Sequence, residues 1–133
     1  MIIMLTANSE TSNIKSIWEY RTYMELLSID SFVLAATLEQ LKSDIYTKIM
    51  SPDEATEASE EMGKLANNYS LVSSLLSYAK AFKRSLKRDR NMEQYEDMID
   101  KESIIENTLK ALDLQYKAVS KSITLYMEDS KIS

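Results

Sequence analysis

Two stretches of this chain space carboxylates as a helix would, and a third crowds cations. Glu54, Glu57, Glu60 and Glu61 recur at intervals of three and four. Glu93, Glu96, Asp97 and Asp100 do the same further on. Such "ExxE" carboxylates can hold magnesium when acids from two helices converge on one ion. A di-iron bundle needs Glu-x-x-His as well, and the chain has no histidine. It has no cysteine either. Ser-His pairs and thiolate nucleophiles are therefore excluded. Both acidic ridges begin a predicted helix, at opposite ends of the expected fold, so their ligands do not converge. The expectation is no metal, no cofactor, no catalytic residue and no enzymatic activity.

The cations stand in "KAFKRSLKRDR", residues 80–90, with six positive charges and one negative. Lys80, Lys83, Arg84, Lys87, Arg88 and Arg90 are the candidate contacts for an anion or a nucleic acid. At helical spacing the first five form a continuous ridge. Tyr78, Phe82 and Tyr95 stand close by in sequence and offer rings on which bases could stack. A second explanation needs no ligand. Basic residues at a helix end and acidic residues at a helix start both suit the helix dipole. In an antiparallel pair, Lys83, Arg84, Lys87 and Arg88 would also face Glu93, Glu96, Asp97 and Asp100 across the turn. The acidic ridge Glu54, Glu57, Glu60 and Glu61 suggests a different partner, a basic groove whose natural occupant is a phosphate backbone. Lys83 and Glu102 each interrupt an apolar register near the same end. They are expected to face each other as a pair that sets register.

The elements that would hold these residues are helices. The chain has 133 residues with one glycine and one proline. Hairpins and phosphate-binding loops need more glycine than that. One apolar register runs through Ile17, Tyr20, Met24, Leu27, Leu34, Leu38, Leu41 and Ile45, with Ser31 its polar member. It predicts one helix over 12–49, or two helices if Ser28–Asp30 caps a new start. "SPDE" at 51–54 supplies an N-cap, a proline at the first helical position and a glutamate three residues after the cap. The second helix is predicted over 52–90, with Met62, Leu65, Tyr69, Val72, Leu76, Ala79 and Leu86 on its seam and Gly63 permitting close helix approach. The third is predicted over 92–130, through Tyr95, Met98, Ile105, Leu109, Leu112, Tyr116, Val119, Ile123 and Tyr126. Asn91 separates the two, either as a left-handed C-cap or as the N-cap of "NMEQ".

The predicted architecture is all-α: a single domain, 1–133, folded as an elongated antiparallel three-helix bundle with long helices and short turns. Three such helices have a thin core. Trp18, Tyr23, Phe32, Val33, Tyr46, Tyr78, Phe82, Ile104 and Leu125 lie off the main seams. Some widen the apolar stripe and others are expected to face a second subunit, which makes a homo-oligomer the expected state. The net charge is −5. It opposes general attraction to nucleic acid or anionic membrane and leaves only local patches able to bind them. The apolar start "MIIML" is too short for a signal peptide or a membrane span, so the expected location is cytoplasmic, with no membrane partner.

Two segments carry a family resemblance. "LANNYSLVSSLLSYAKAFKRSLKRD" and "ALDLQYKAVSKSITLYMEDSK" resemble small all-helical accessory proteins of bacteriophages and mobile elements. Tyr116, Lys117, Ser120, Lys121, Ile123, Thr124 and Glu128 carry the likeness in the last helix. Some of these proteins are similar to phage recombination mediators, which bind single-stranded DNA and load a recombinase. The resemblance implies a phage or mobile-element origin in a bacterial host cell; with no catalytic constellation in the sequence, the expectation is a non-enzymatic interaction protein with a protein or nucleoprotein partner. Three roles remain open: a DNA-transaction accessory protein using the basic ridge, an anti-CRISPR-like antagonist of a host defence enzyme using the acidic faces, and a structural oligomeric bundle.

Overall fold

A computed structural model describes residues 20–42 and 49–132 of the chain. Four helices account for most of them: α1 (Tyr20–Ser28), α2 (Ser31–Glu39), α3 (Pro52–Arg88) and α4 (Met92–Ile132). The described residues are all-α, and the two long helices pack along each other. At about 1.5 Å per residue, α3 and α4 are each roughly 55–60 Å long.

The start of α3 follows from its local chemistry. Ser51 is extended, and its hydroxyl accepts a hydrogen bond from the Glu54 amide at 3.2 Å. Pro52 takes the first helical position, where a missing N–H costs nothing. The turn to α4 is a Schellman motif. Arg90 takes the left-handed conformation, φ 60°. The Asn91 amide donates to the Leu86 carbonyl at 3.0 Å, and the Arg90 amide to Lys87 at 3.2 Å. Asn91 therefore acts as the N-cap of α4, its side chain accepting from the Gln94 amide at 3.3 Å. The left-handed residue is its neighbour.

The single helix expected over 12–49 is divided. Asp30 leaves the helical region (φ −58°, ψ 141°), and its carboxylate accepts from the Phe32 amide at 2.9 Å. This is the alternative start at Ser28–Asp30. The helix phase is nearly conserved across the break, so Leu27, Leu34, Leu38 and Leu41 are all buried. Ile17 and Ile45 of that register, with Trp18 and Tyr46, lie outside the described residues.

The α1–α2 arm runs antiparallel to α3 and in the same sense as α4. Tyr23 stacks on Tyr78 with ring centroids 4.7 Å apart. Asn68 of α3 donates to the Leu41 carbonyl at 3.1 Å. The arm covers one seam of the α3–α4 pair, and the core lies between all three: Leu34, Leu38, Leu65, Val72, Leu75, Ile105, Leu112 and Val119. Thr37 and Thr108 are buried too. Each hydroxyl donates to a carbonyl four residues earlier in its own helix, so neither opposes burial.

Gly63 does not serve a close approach. It is exposed, and a Cβ there would meet nothing within 4 Å. Of the off-seam apolar residues, Tyr23 is buried, while Tyr78, Phe82 and Ile104 pack against the core. Phe32, Val33 and Leu125 are exposed. No helix of the described residues is long and apolar enough to cross a membrane.

Candidate nucleic-acid interface at the basic tip

The basic block forms the last turns of α3 and the turn that follows. Lys87 and Arg88 occupy the final turn of the helix, and Arg90 the left-handed position beyond it. Lys80, Arg84, Lys87, Arg88 and Arg90 are all exposed. Among the described residues, none of these five has a carboxylate within 4 Å. The pairing expected across the turn is therefore not formed. Asp97 turns back to Lys101 on its own helix at 2.8 Å, and Glu93, Glu96 and Asp100 remain exposed.

Lys83 differs from the other five. Its Nζ lies 2.7 Å from Glu102 Oε1 in the α3–α4 seam, with the side chains 26 % and 15 % exposed. The contact with the Glu102 carboxylate raises the Lys83 pKa above its usual value. Partial burial opposes that rise, and Glu106 nearby adds to it. The expected register pair is present, and Lys83 is thereby engaged by a partner within the chain.

Tyr78, Phe82 and Tyr95 do not form a base-stacking platform. One face of Tyr78 is taken by Tyr23, and all three rings are partly buried against the core. Burial raises the pKa of the Tyr23 phenol. A hydrogen bond with Ser74 opposes this, and Tyr78 adds to it. What the tip presents to solvent is charged rather than aromatic, with the cations of α3 and the turn beside the exposed acids of α4.

A second polar contact lies just inside the tip, where sequence reading did not place one. Lys101 is 4 % exposed. Its ammonium donates to the Leu27 carbonyl at 2.7 Å and meets Asp97 at 2.8 Å. Because α1 stops at Ser28, no residue-31 amide closes the helix on Leu27. Lys101 takes that place and ties the α1–α2 junction to α4. The signal in the sequence is the spacing Met98, Lys101, Ile105, Thr108, Leu112, which puts lysine on the a/d face of a heptad.

The acidic ridge is at the opposite end of α3, roughly 40 Å from the basic tip at about 1.5 Å per residue. Glu57 and Glu60 are exposed, Glu54 and Glu61 half-exposed, and Glu61 lies 3.9 Å from Lys64. Among the described residues no group of three carboxylates is placed to hold a metal ion.

No protein family, curated protein or solved structure matches the chain.

Proposed function

We propose that the chain is a non-enzymatic DNA-transaction accessory protein of phage or mobile-element origin, whose basic tip binds single-stranded DNA or a nucleoprotein. The architecture we assign to it is an elongated antiparallel three-helix bundle. One observation carries the reading: five exposed cations, Lys80, Arg84, Lys87, Arg88 and Arg90, cluster at one end without an intramolecular carboxylate partner among the described residues. A charge run that served only to neutralise the neighbouring acids would be paired with them. With the nearby aromatic rings occupied, recognition rests on phosphates and is indifferent to base identity.

Fluorescence anisotropy of a labelled single-stranded oligonucleotide tests this. Five phosphate contacts give a log–log salt slope of about −3.5, so affinity falls roughly 100-fold between about 50 and 200 mM salt. Arg84→Glu with Arg88→Glu abolishes binding. Absence of binding at the lower salt rejects the reading. The acidic ridge supports a second reading, antagonism of an enzyme with a basic groove, because exposed Glu57 and Glu60 also lack an ion-pair partner among the described residues. Glu57→Lys with Glu60→Lys would abolish that activity and leave DNA binding intact.

A further inference from the structure

The α1–α2 arm covers one side of the α3–α4 pair, and none of the described residues covers the other side. The open seam has its own repeat. Lys83 faces Glu102, and one heptad on along α3 is one heptad back along α4. Leu76 thus lies opposite Leu109, Tyr69 opposite Tyr116, and Met62 opposite Ile123. Tyr69 and Tyr116 line the same cleft, of about 190 Å³, with Leu65, Ala66, Leu112 and Asp113. The two rings remain 42 % and 37 % exposed. The other members of the row are half-buried. The result is an apolar strip roughly 20 Å long at about 1.5 Å per residue, closed at the tip end by the Lys83–Glu102 pair. A cleft of this size is below the roughly 300–1,000 Å³ of small-molecule sites and suits a protruding side chain.

The rims of the strip differ in sign. On the α3 side the flanking row is Ala66, Ser73, Lys80 and Lys87. On the α4 side it is Ile99, Glu106, Asp113 and Ser120. Each rim carries charge of one sign only, and Asp113 is shared with Lys117 of its own helix at 2.9 Å. A surface with an apolar middle, one basic edge and one acidic edge is complementary to itself under a two-fold rotation.

We infer that this seam is the interface of a homodimer whose two-fold axis runs along the helices. That axis sets α3 of one copy against α4 of the other, antiparallel and in the same layer. Lys80 then meets the partner's Glu106, and the reciprocal contact forms automatically. The tyrosine–leucine rows of the two copies close into a four-helix core. A two-fold axis across the helices would instead bring Lys80 against the partner's Ala66, with no charge partner. The chosen arrangement also puts both basic tips at the same end of the dimer, where Arg84, Lys87, Arg88 and Arg90 of the two copies stay free for phosphate while Lys80 leaves that set for the partner's Glu106.

Sedimentation equilibrium of the full chain, without nucleic acid, tests the dimer separately from DNA binding. The expected mass is twice the 15.3 kDa of the chain. Tyr69→Lys gives a folded monomer by circular dichroism. Lys80→Glu and Glu106→Lys each weaken the dimer at least tenfold, and the two together in one chain restore it. A wild-type monomer at all concentrations overturns the inference and leaves the seam to residues 1–19 or to another protein. A dimer indifferent to Tyr69→Lys places the interface elsewhere and overturns it as well. Failure of the double charge swap to restore association overturns the axis proposed here.

Discussion

Replacing Lys101 with methionine isolates what its ammonium does. Methionine keeps the packed stem but removes the donor to Leu27 and the partner of Asp97. The Leu27 carbonyl then sits beside a thioether, at a helix end that has no amide to offer. Leaving a buried acceptor unsatisfied costs about 1–3 kcal/mol. The pair with Asp97 adds little, about 0.3–0.5 kcal/mol, because the carboxylate is half-exposed and the spacing is i,i+4. Removing the charge returns part of this, since an ammonium that is 4 % exposed has lost most of its hydration. The expected net is a destabilisation of about 1.5 kcal/mol. With an m-value of about 1.5 kcal/mol/M in urea, the unfolding midpoint falls by about 1 M. Hydrogen exchange sharpens the test. Protection in α1 and α2 should fall more than protection in the middle of α3, because the contact joins the short arm to the long pair. Lys101→Met with a midpoint equal to or above wild type would refute the reasoning. Desolvation would then outweigh the hydrogen bond, and the contact would serve geometry alone.

Four further outcomes follow. Gly63→Ala stabilises by about 1 kcal/mol in thermal or urea unfolding, because Gly63 is an exposed helix-interior glycine with open space around it. Arg90→Gly stabilises by about 1 kcal/mol through relief of the left-handed backbone, and weakens oligonucleotide binding by removing one phosphate contact. A double-mutant cycle on Lys83→Met and Glu102→Gln gives a favourable coupling of about 1–3 kcal/mol, and additive single effects would contradict the pair. Stability also has an alkaline limit. Lys83 and Tyr23 both have raised pKa values in the fold, so both are more protonated folded than unfolded. Their contributions are fully present below the unfolded values of about 10.4 and 10, and are lost as pH rises through the folded values. Urea midpoints should be level between about pH 7 and 9 and fall above about 10, less steeply in Tyr23→Phe.

The parts of this fold that were legible in the sequence are those where the deciding interaction is local. Ser51, Pro52 and Glu54 lie within one helical turn, and their cap forms as the spacing requires. Asn91 and Gln94 behave likewise. The Lys83–Glu102 pair was legible because two charges broke two apolar rows at matching distances from one turn. The break at Asp30 was harder, since a two-residue interruption hardly shifts the helix phase and Leu27 and Leu34 stay on one face. Its marks were the polar Ser31 in the register and the capping residue types at Ser28 and Asp30. Lys101 was missed because, among six acids, a lone lysine looks like a surface counter-charge. Its burial depends on a carbonyl contributed 74 residues away. Tyr116, read as seam, is more exposed than the threonine at 108, which hides its hydroxyl against Ile104. In the basic block, sequence could count the cations but not their partners. Of the acids thought to face them, Asp97 pairs with Lys101 and the others stay exposed without an ion pair among the described residues, which is a matter of side-chain geometry across a turn.

Among the described residues the two least exposed ion-paired lysines, Lys83 and Lys101, both lie near the tip end, and that placement has a consequence for register. Through Leu65, Val72, Ile105, Leu112 and Val119 the facing rows of α3 and α4 are aliphatic and nearly interchangeable. A slip of one heptad between the long helices would leave much of that packing similar. It would not leave Lys83 and Glu102 similar. One slip sets Lys83 against Leu109, and the other sets it against Tyr95 and Glu102 against Leu76. Each leaves a partly exposed charge without its partner against an apolar row, at a cost of about 1–3 kcal/mol. The Lys101–Leu27 contact applies the same constraint to the short arm. Polar pairs inside a uniform apolar core thus select one alignment out of several that burial alone would accept. The alignment they select leaves Arg84, Lys87, Arg88 and Arg90 clear of the acids of α4. The cationic surface at the tip is therefore a product of the register, held open by two contacts just beneath it.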